Sequence, residues 1–176
     1  MKAAFLKDGR AFCKDIEKLP LKKGQIRVRV EACGICGSDF LAWPGEEGKE
    51  KPFGHEVAGV VSEVTPGELR LSVGQKVVLD SSSPCGVCNN CKDGRLELCT
   101  AVQSLCHNTD ALGMAEELIA PSISAIPYEG ISPAVASLQE PLGVAIDLTN
   151  VADLSADSNV LVMGLGPIGL TKPTRE

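Results

Sequence analysis

Alternating apolar and polar residues in the first third of the chain predict short β-strands. In QIRVRVEAC the residues from Ile26 to Cys33 alternate in this way, which is the period of a strand with one buried face and one face in solvent. MKAAFLKDGRAFCKDI predicts a hairpin that turns at Asp8 and Gly9, because this dipeptide tolerates the positive φ angles of a tight turn. We therefore expect the chain to begin as an antiparallel sheet.

Further short strands are predicted up to about residue 128. HEVAGVVSEV and GQKVVLD are strand-like runs separated by a turn that contains Pro66 and Gly67. MAEELIAP and ISAIPY are expected to end near Pro121 and Pro127, since proline has no N–H to give to a sheet. Many short strands without intervening helices indicate a β-barrel or a β-sandwich.

The pattern changes near Ser132, where an Ala-rich segment over residues 132–153 predicts helices. Ser132 is a good N-cap, and Pro133 suits the first helical position. We expect an interruption at Pro141. NVLVMGLGPIGL then predicts an apolar strand that runs into a glycine-rich turn, which indicates the beginning of another domain.

Composition is that of a globular protein and excludes several classes of function. The 176 residues are 44% hydrophobic and 23% charged. A net charge of -6 without a basic run, and only 3% aromatic residues, argue against nucleic acid and anionic membranes as partners. We see neither an apolar run of about 18 residues nor a signal peptide, so we expect a cytoplasmic protein that does not bind membranes.

PCGVCNNCKDGRLELC contains half of the chain's eight cysteines in the pattern C-x2-C-x2-C-x7-C, namely Cys85, Cys88, Cys91 and Cys99. Four thiolates at these spacings can converge on one tetrahedral ion at about 2.3 Å each. Redox-active thiols without metal and disulfides are weaker alternatives in a reducing compartment. Because four thiolates fill the coordination of Zn²⁺, we predict a structural site that folds residues 81–100, a lobe with little core of its own.

Other candidate ligands are scattered along the chain. Cys36 lies in a glycine-rich turn after a strand, His55 and Glu56 begin another strand, and Glu140 lies in a turn before a helix. Each of these has an ordinary structural explanation when it is taken alone. Cys33 and Cys36 also spell C-x-x-C, but a thioredoxin-type site needs a βαβ context that this strand-rich region lacks.

Five motifs occur in order along the chain: CGICGSD, GHEVAGVV, PCGVCNNCKDGRLELC, EPLGVA and VLVMGLGPIGL. Together they resemble the zinc-dependent medium-chain dehydrogenase/reductase family, that of alcohol, sorbitol and threonine dehydrogenases. The resemblance implies a mainly β fold, with a GroES-like, partly open β-barrel catalytic domain and a few short helices over residues 1–150. Residues 151–176 would be the first strand and glycine turn of a Rossmann domain that binds NAD(P).

The resemblance also implies two zinc ions per chain. Cys36, His55 and Glu56 would hold the catalytic zinc, with Glu140 close enough to replace Glu56 or the water. The four-cysteine lobe would hold the structural zinc. Three protein ligands leave one position open for water or the substrate oxygen, where Zn²⁺ acts as a Lewis acid. GHE with a downstream EPL is most similar to the polyol and threonine branch, which implies NAD(P)-linked oxidation of a secondary alcohol to a ketone.

Several residues lie close in sequence to the implied ligands, and two interpretations of Asp39 stay open. Asp39 would orient a metal ligand or cap a short helix. Ser38 matches the hydroxyl that starts the family's proton relay, but Leu41 stands where many members have the relay histidine. Phe40 and Trp43 would line the substrate entrance or pack in the core. The remaining residues are interpreted as packed thiols and a solvated histidine: Cys13, Cys33, Cys106 and His107.

Gly164, Gly166 and Gly169 form G-x-G-x-x-G after the predicted strand, as in a dinucleotide fingerprint. The acidic residue expected about 20 positions later is not among the 176 residues. We therefore expect little dehydrogenase activity from this polypeptide alone, and an unpaired strand at 159–164 would favour a homo-oligomer. The alternative hypothesis is a non-catalytic zinc-binding or interaction module that reuses the barrel.

Overall fold

The computed structural model describes residues 1–41, 47–105, 113–155 and 157–171. These residues form ten strands, numbered in chain order: β1 (Lys2–Lys7), β2 (Arg10–Asp15), β3 (Gln25–Gly34), β4 (Lys51–Pro52), β5 (Glu56–Val64), β6 (Lys76–Leu79), β7 (Ser82–Ser83), β8 (Gln103–Ser104), β9 (Glu117–Pro121) and β10 (Ala125–Pro127). They also form four helices: α1 (Asn89–Lys92), α2 (Pro133–Ala136), α3 (Gln139–Val151) and α4 (Pro167–Leu170).

The predicted N-terminal hairpin is confirmed. β1 pairs with β2 in antiparallel register from Lys2↔Asp15 to Lys7↔Arg10. The turn has positive φ angles of 48° at Asp8 and 74° at Gly9, as a tight hairpin requires. β4 pairs with the other edge of β1, which completes a three-stranded sheet.

A five-stranded antiparallel sheet, in the order β10-β6-β5-β3-β9, surrounds the main core. Ile26 and Val28 of β3 are fully buried there, as the alternation predicts. The prediction that every polar residue of β3 faces solvent is wrong at Arg27, which is only 8% exposed. Its guanidinium group donates to the Glu63 carboxylate at 2.9 Å and to the Leu19 carbonyl at 2.8 Å, so its charge is paired where water is excluded.

Residues 114–116 connect the edges of the two larger sheets. The Ala4 amide donates to the Met114 carbonyl at 2.8 Å, and the Val30 amide donates to the Glu116 carbonyl at 3.0 Å. The sheets do not close, and the few helices are short. This arrangement confirms the mainly β, partly open barrel. Across the described ranges, no helix has the length and apolar character needed to cross a membrane.

The helical segment begins as predicted but is interrupted elsewhere. The Ser132 hydroxyl accepts a hydrogen bond from the Val135 amide at 3.3 Å, which caps α2. The break between α2 and α3 falls at Ser137 and Leu138, so the interruption predicted at Pro141 is wrong. Pro141 is the third residue of α3, where proline is tolerated because the first N–H groups of a helix have no partner within it.

The apolar segment 159–163 is not a β-strand, contrary to the prediction. Leu161 is 84% exposed and Met163 is 88% exposed. A parallel strand needs neighbours on both sides and helices on both faces, and the described residues provide no strand beside this segment. The argument for a homo-oligomer through this strand loses its basis, and the domain boundary predicted at residue 150 stays a prediction.

Candidate metal centres

Two strand ends bring Cys36, His55 and Glu56 together. Gly34, the last residue of β3, pairs with Glu56, the first residue of β5. Cys36 follows Gly34 as the N-cap of a short 3-10 turn over Gly37–Phe40. One ligand atom from each of the three residues lies within 4.8 Å of the other two. The fold therefore brings the three residues of the predicted catalytic ligand set side by side.

The absence of a side chain at Gly34 makes room for the Glu56 carboxylate. A Cβ atom at Gly34 would overlap Oε2 and approach Cδ of Glu56. Glu56 is itself 8% exposed, so its carboxylate has little room to move elsewhere. Burial raises the pKa of Glu56 above its usual range, and the negative charge of Glu140 raises it further. A cation at this position would offset both effects.

Asp39 makes the contacts that both interpretations left open by the sequence require. Its Oδ2 accepts a hydrogen bond from the Cys36 amide at 3.0 Å, which is the capping interaction of the 3-10 turn. Its Oδ1 accepts from the Gly54 amide at 3.1 Å and lies 3.3 Å from Nδ1 of His55. Burial raises the pKa of Asp39, but the hydrogen bonds from His55 and the two amides outweigh burial and hold the pKa below its usual range.

Glu140 lies on the opposite side of the His55 ring. Its Oε1 is 3.9 Å from Nε2 of His55 and accepts a hydrogen bond from the Ser81 hydroxyl at 3.3 Å. The prediction that Glu140 lies in a turn before a helix is wrong, because it is the second residue of α3. With Nδ1 facing Asp39, Nε2 is the ring nitrogen that faces Glu140.

The remaining residues near this centre are exposed. The Ser38 hydroxyl donates to Sγ of Cys36 at 3.2 Å, so it lies beside a candidate ligand. Leu41 is exposed, and Phe40 is 51% exposed, so the core-packing interpretation of Phe40 is wrong. Trp43, Cys106 and His107 lie outside the described residues.

The four-cysteine lobe is organised around sulfur rather than around apolar side chains. Sγ of Cys85 lies 4.0 Å from Sγ of Cys91, and Sγ of Cys88 lies 4.0 Å from Sγ of Cys99. All four sulfur atoms lie within 4.8 Å of one another. The apolar residues of this segment face solvent, namely Val87, Leu96 and Leu98. The lobe therefore has no hydrophobic core among its described residues.

These distances suit a shared ion and exclude disulfides. Two sulfur atoms bound at about 2.3 Å to one tetrahedral zinc lie about 3.8 Å apart, whereas a disulfide bond is about 2.0 Å long. None of the seven described cysteines forms a disulfide. Backbone amides also donate to the sulfur atoms, from Cys85 to Cys99 at 3.2 Å and from Cys88 to Cys85 at 3.4 Å. Amide donors stabilise thiolates, so this donor set suits zinc.

The cysteines of the lobe differ in acidity when no metal is bound. Hydrogen bonds from the backbone of Thr100 and Cys91 lower the pKa of Cys88 to about 5. Burial and the neighbouring Cys88 thiol raise the pKa of Cys91 to about 12. Of the cysteines predicted to be packed, Cys33 is half-buried against the main core, while the prediction for Cys13 is wrong because it is exposed on β2.

The three glycines of the dinucleotide-type motif form a turn into α4. Gly164 has a φ of 101°, which favours glycine. A Cβ atom at Gly169 would overlap the Gly164 carbonyl oxygen, so the start of the helix lies close to the preceding backbone. Gly166 is the N-cap of α4, which is one turn long as the sequence predicts.

Two contributors to the site were missed by sequence reasoning. Ser81 lies between β6 and β7 in a run of three serines, and nothing in that run distinguishes the one that contacts Glu140. Gly34 lies in the CGIC segment, where glycine was interpreted only as a feature of the turn. Its pairing with Glu56 across β3 and β5 is seen only in the structure.

Open antiparallel sheets with a cysteine, a histidine and a glutamate at two strand ends, beside a separate cysteine lobe, are the features of the catalytic domain of a zinc-type dehydrogenase. The sequence profile of the alcohol dehydrogenase GroES-like domain matches residues 22–129. The chain therefore belongs to the zinc-dependent medium-chain dehydrogenase/reductase family. The resemblance based on the five motifs is confirmed.

Individual relatives agree with this assignment. The chain is 36% identical over 154 residues to an L-threonine 3-dehydrogenase of Pyrococcus furiosus, which covers 84% of this chain and 44% of that protein. It is 34% identical over 152 residues to a sorbitol dehydrogenase of Arabidopsis thaliana, which covers 82% of this chain and 42% of that protein.

A solved structure shows the same fold. The crystal structure of the alcohol dehydrogenase rspB of Escherichia coli CFT073, complexed with NADH, superposes with a TM-score of 0.83 at 32% identity. The superposition covers 97% of this chain and 51% of that chain. The chain thus spans about half the length of the relatives it matches.

Proposed function

We propose that this chain is the catalytic-domain portion of a zinc-dependent dehydrogenase that oxidises a secondary alcohol of a polyol or amino alcohol to a ketone, with NAD or NADP as the hydride acceptor. The observation that carries the proposal is the convergence of Cys36, His55 and Glu56 within 4.8 Å. Similarity to threonine and sorbitol dehydrogenases supports the substrate class.

Some residues of the catalytic centre would bind the zinc, and others would orient these ligands. Cys36, His55 through Nε2, and Glu56 would hold the zinc, which supplies Lewis-acid polarisation of an alcohol oxygen. Asp39 fixes the His55 ring, because its Oδ1 faces Nδ1 at 3.3 Å. Glu140 brings a further carboxylate to 3.9 Å from Nε2, where it would substitute for Glu56 or a water.

Ser38 is positioned to hold a proton at its Oγ, which lies 3.2 Å from Sγ of Cys36 on the exposed side of the centre. Leu41 has no titratable group to pass that proton on. Because Ser38 is exposed, we expect its hydroxyl to exchange protons directly with solvent.

We further propose that the lobe of residues 81–100 holds a second, structural zinc through Cys85, Cys88, Cys91 and Cys99. The sulfur separations of 4.0 Å support this assignment, and zinc binding of this kind is worth about 10–16 kcal/mol in small peptides. Such a site needs reduced cysteines, which fits the cytoplasmic location that we propose.

The glycines Gly164, Gly166 and Gly169 would approach the pyrophosphate of NAD(P). A polypeptide of these 176 residues is expected to have little activity by itself, because hydride transfer needs a nicotinamide held against the reacting carbon. Robust NAD(P)-dependent alcohol oxidation by this polypeptide would contradict the expectation.

Metal content tests the proposal against the alternative of a non-catalytic zinc module. We expect two zinc ions per purified chain, and one in Cys36→Ser, because this variant removes a ligand of the catalytic centre only. Cys33→Ser is the matched control, since it replaces a half-buried thiol three residues away and should retain both ions. One ion in the unmodified chain would support the alternative.

A further inference from the structure

We propose that Ser81 is a positioning residue that holds Glu140 beside the catalytic metal centre and couples this centre to the four-cysteine lobe. The inference rests on the proposed function, because it assigns Ser81 a role toward the two metal sites.

One oxygen of the Glu140 carboxylate lies close to both Ser81 and His55. Oε1 of Glu140 accepts the hydrogen bond from the Ser81 hydroxyl at 3.3 Å and lies 3.9 Å from Nε2 of His55. The Glu140 side chain is attached in the first turn of α3 and retains several rotamers there. The hydroxyl of Ser81 selects the rotamer in which the carboxylate faces the ligand nitrogen.

The negative charges near His55 explain why Glu140 needs a hydrogen-bond donor to stay in place. Glu56 and Glu140 bring two carboxylates to the same imidazole, and the thiol of Cys36 lies beside them. Like charges at such separations repel each other, so the Glu140 carboxylate would rotate toward solvent if no donor held it. Ser81 supplies that donor, at 3.3 Å from Oε1 of Glu140.

The backbone of Ser81 is fixed at the base of the lobe. Its carbonyl accepts a hydrogen bond from the Leu105 amide at 2.9 Å, and the neighbouring Asp80 amide donates to the Ser124 carbonyl at 2.8 Å. Immediately after Ser81, β7 pairs with β8. Ser81 thus lies where the chain enters the lobe, and Leu105 lies where it has left the lobe.

This connection links the two sites. Metal bound to the four cysteines orders residues 85–99 and so adds to the hydrogen bonds that hold the base of the lobe, which keeps Ser81 in reach of Glu140. After loss of the lobe metal the base is held by these hydrogen bonds alone, and the contact between Ser81 and Glu140 should loosen. Since coupling between binding sites is reciprocal, the catalytic centre should in turn strengthen metal binding in the lobe.

Cobalt titration of the full chain tests the positioning role, because Co²⁺ at one thiolate and Co²⁺ at four thiolates give charge-transfer bands of different intensity. We expect Ser81→Ala to weaken Co²⁺ at the Cys36–His55–Glu56 centre about 10-fold, as loss of an outer hydrogen bond to a metal site does. Ser81→Thr, which keeps the hydroxyl, should restore binding. Ser82→Ala replaces an exposed neighbour and should bind as the unmodified chain does.

The outcomes separate this inference from the proposed function. If the unmodified chain binds a single Co²⁺, the catalytic centre itself is absent and the proposed function fails. If it binds two and Ser81→Ala binds them with unchanged affinity, or Ser82→Ala weakens binding equally, the positioning role of Ser81 is overturned.

A double-mutant cycle tests the coupling. We expect Cys99→Ser to weaken Co²⁺ at the catalytic centre about 5-fold when Ser81 is present, and to have no further effect in the Ser81→Ala background. Equal weakening in both backgrounds would overturn the coupling through Ser81. If Cys99→Ser does not fold, the reciprocal measurement decides the question: Ser81→Ala should weaken Co²⁺ binding in the lobe, and unchanged lobe affinity would overturn the coupling.

Discussion

The carboxylate of Glu56 lies in the space that a side chain at Gly34 would fill. The two residues are cross-strand partners at the ends of β3 and β5. A glycine on one strand therefore determines where a carboxylate on the next strand can be.

Gly34→Ala should consequently displace Glu56 and weaken metal at the catalytic centre by at least about 10-fold, while the lobe keeps its ion. Metal analysis after dialysis against a weak chelator measures this loss. Gly37→Ala is the matched control, because a Cβ atom there has no atom within 4 Å. Retention of both ions in Gly34→Ala would show that Glu56 is not needed as a ligand.

Asp39 should contribute pH-dependent stability to the metal-free protein. Its pKa in the folded state is below the usual value, since the hydrogen bonds from His55 and the backbone outweigh burial. The stabilisation is therefore present above the ordinary pKa of aspartate and is lost as the pH falls through the lower folded pKa. Urea unfolding should show Asp39→Asn less stable than the unmodified chain at pH 7, with a difference that shrinks near pH 3.

The control for this measurement is Asp93→Asn, which removes an exposed carboxylate paired with Arg95 and should leave stability nearly unchanged at both pH values. A difference between Asp39→Asn and the unmodified chain that grows on acidification would contradict the assigned role of Asp39.

Metal removal should unfold the lobe before the barrel. The lobe has sulfur atoms at its centre and exposes Val87, Leu96 and Leu98, so little else holds it together. After chelation we expect trypsin to cleave at Lys92 and Arg95, both within the lobe, at least about 10 times faster than in the metal-loaded chain. Cleavage at Lys76 of β6 serves as the control and should stay slow in both states. Equal rates at Lys92 with and without metal would contradict a structural ion.

Thiol reactivity should differ within the metal-free lobe. The pKa of Cys88 is lowered to about 5 and that of Cys91 is raised to about 12, and the thiolate is the nucleophile. At pH 6.5, limited alkylation followed by mass spectrometry should therefore label Cys88 before Cys91. Zinc should protect both, whereas the exposed Cys13 should react in either state. Preferential labelling of Cys91 would contradict this prediction.

Local patterns predicted the hairpin, most strands and the four-cysteine lobe, because turn dipeptides, alternation and cysteine spacing act over a few residues. The ligand set of Cys36, His55 and Glu56 was implied by the resemblance to the dehydrogenase family, since these residues are far apart along the chain. Features set by distant partners were missed. Arg27 is buried because Glu63 and the Leu19 carbonyl pair with it, and the alternation around Arg27 contains no sign of either partner. The segment 159–163 has the apolar composition of a strand, but a strand also needs neighbours, which composition cannot supply.

The ladder between β3 and β5 runs from Ile26↔Val64 to Gly34↔Glu56, and it sets the separation of candidate ligands that are 20 residues apart along the chain. Because the ladder is held by backbone hydrogen bonds between the strands, we expect it to tolerate changes in the segments that connect them. Related domains could therefore come to accept different alcohols while they keep the same arrangement of metal ligands. In such a fold, substrate specificity can evolve without a change in the chemistry.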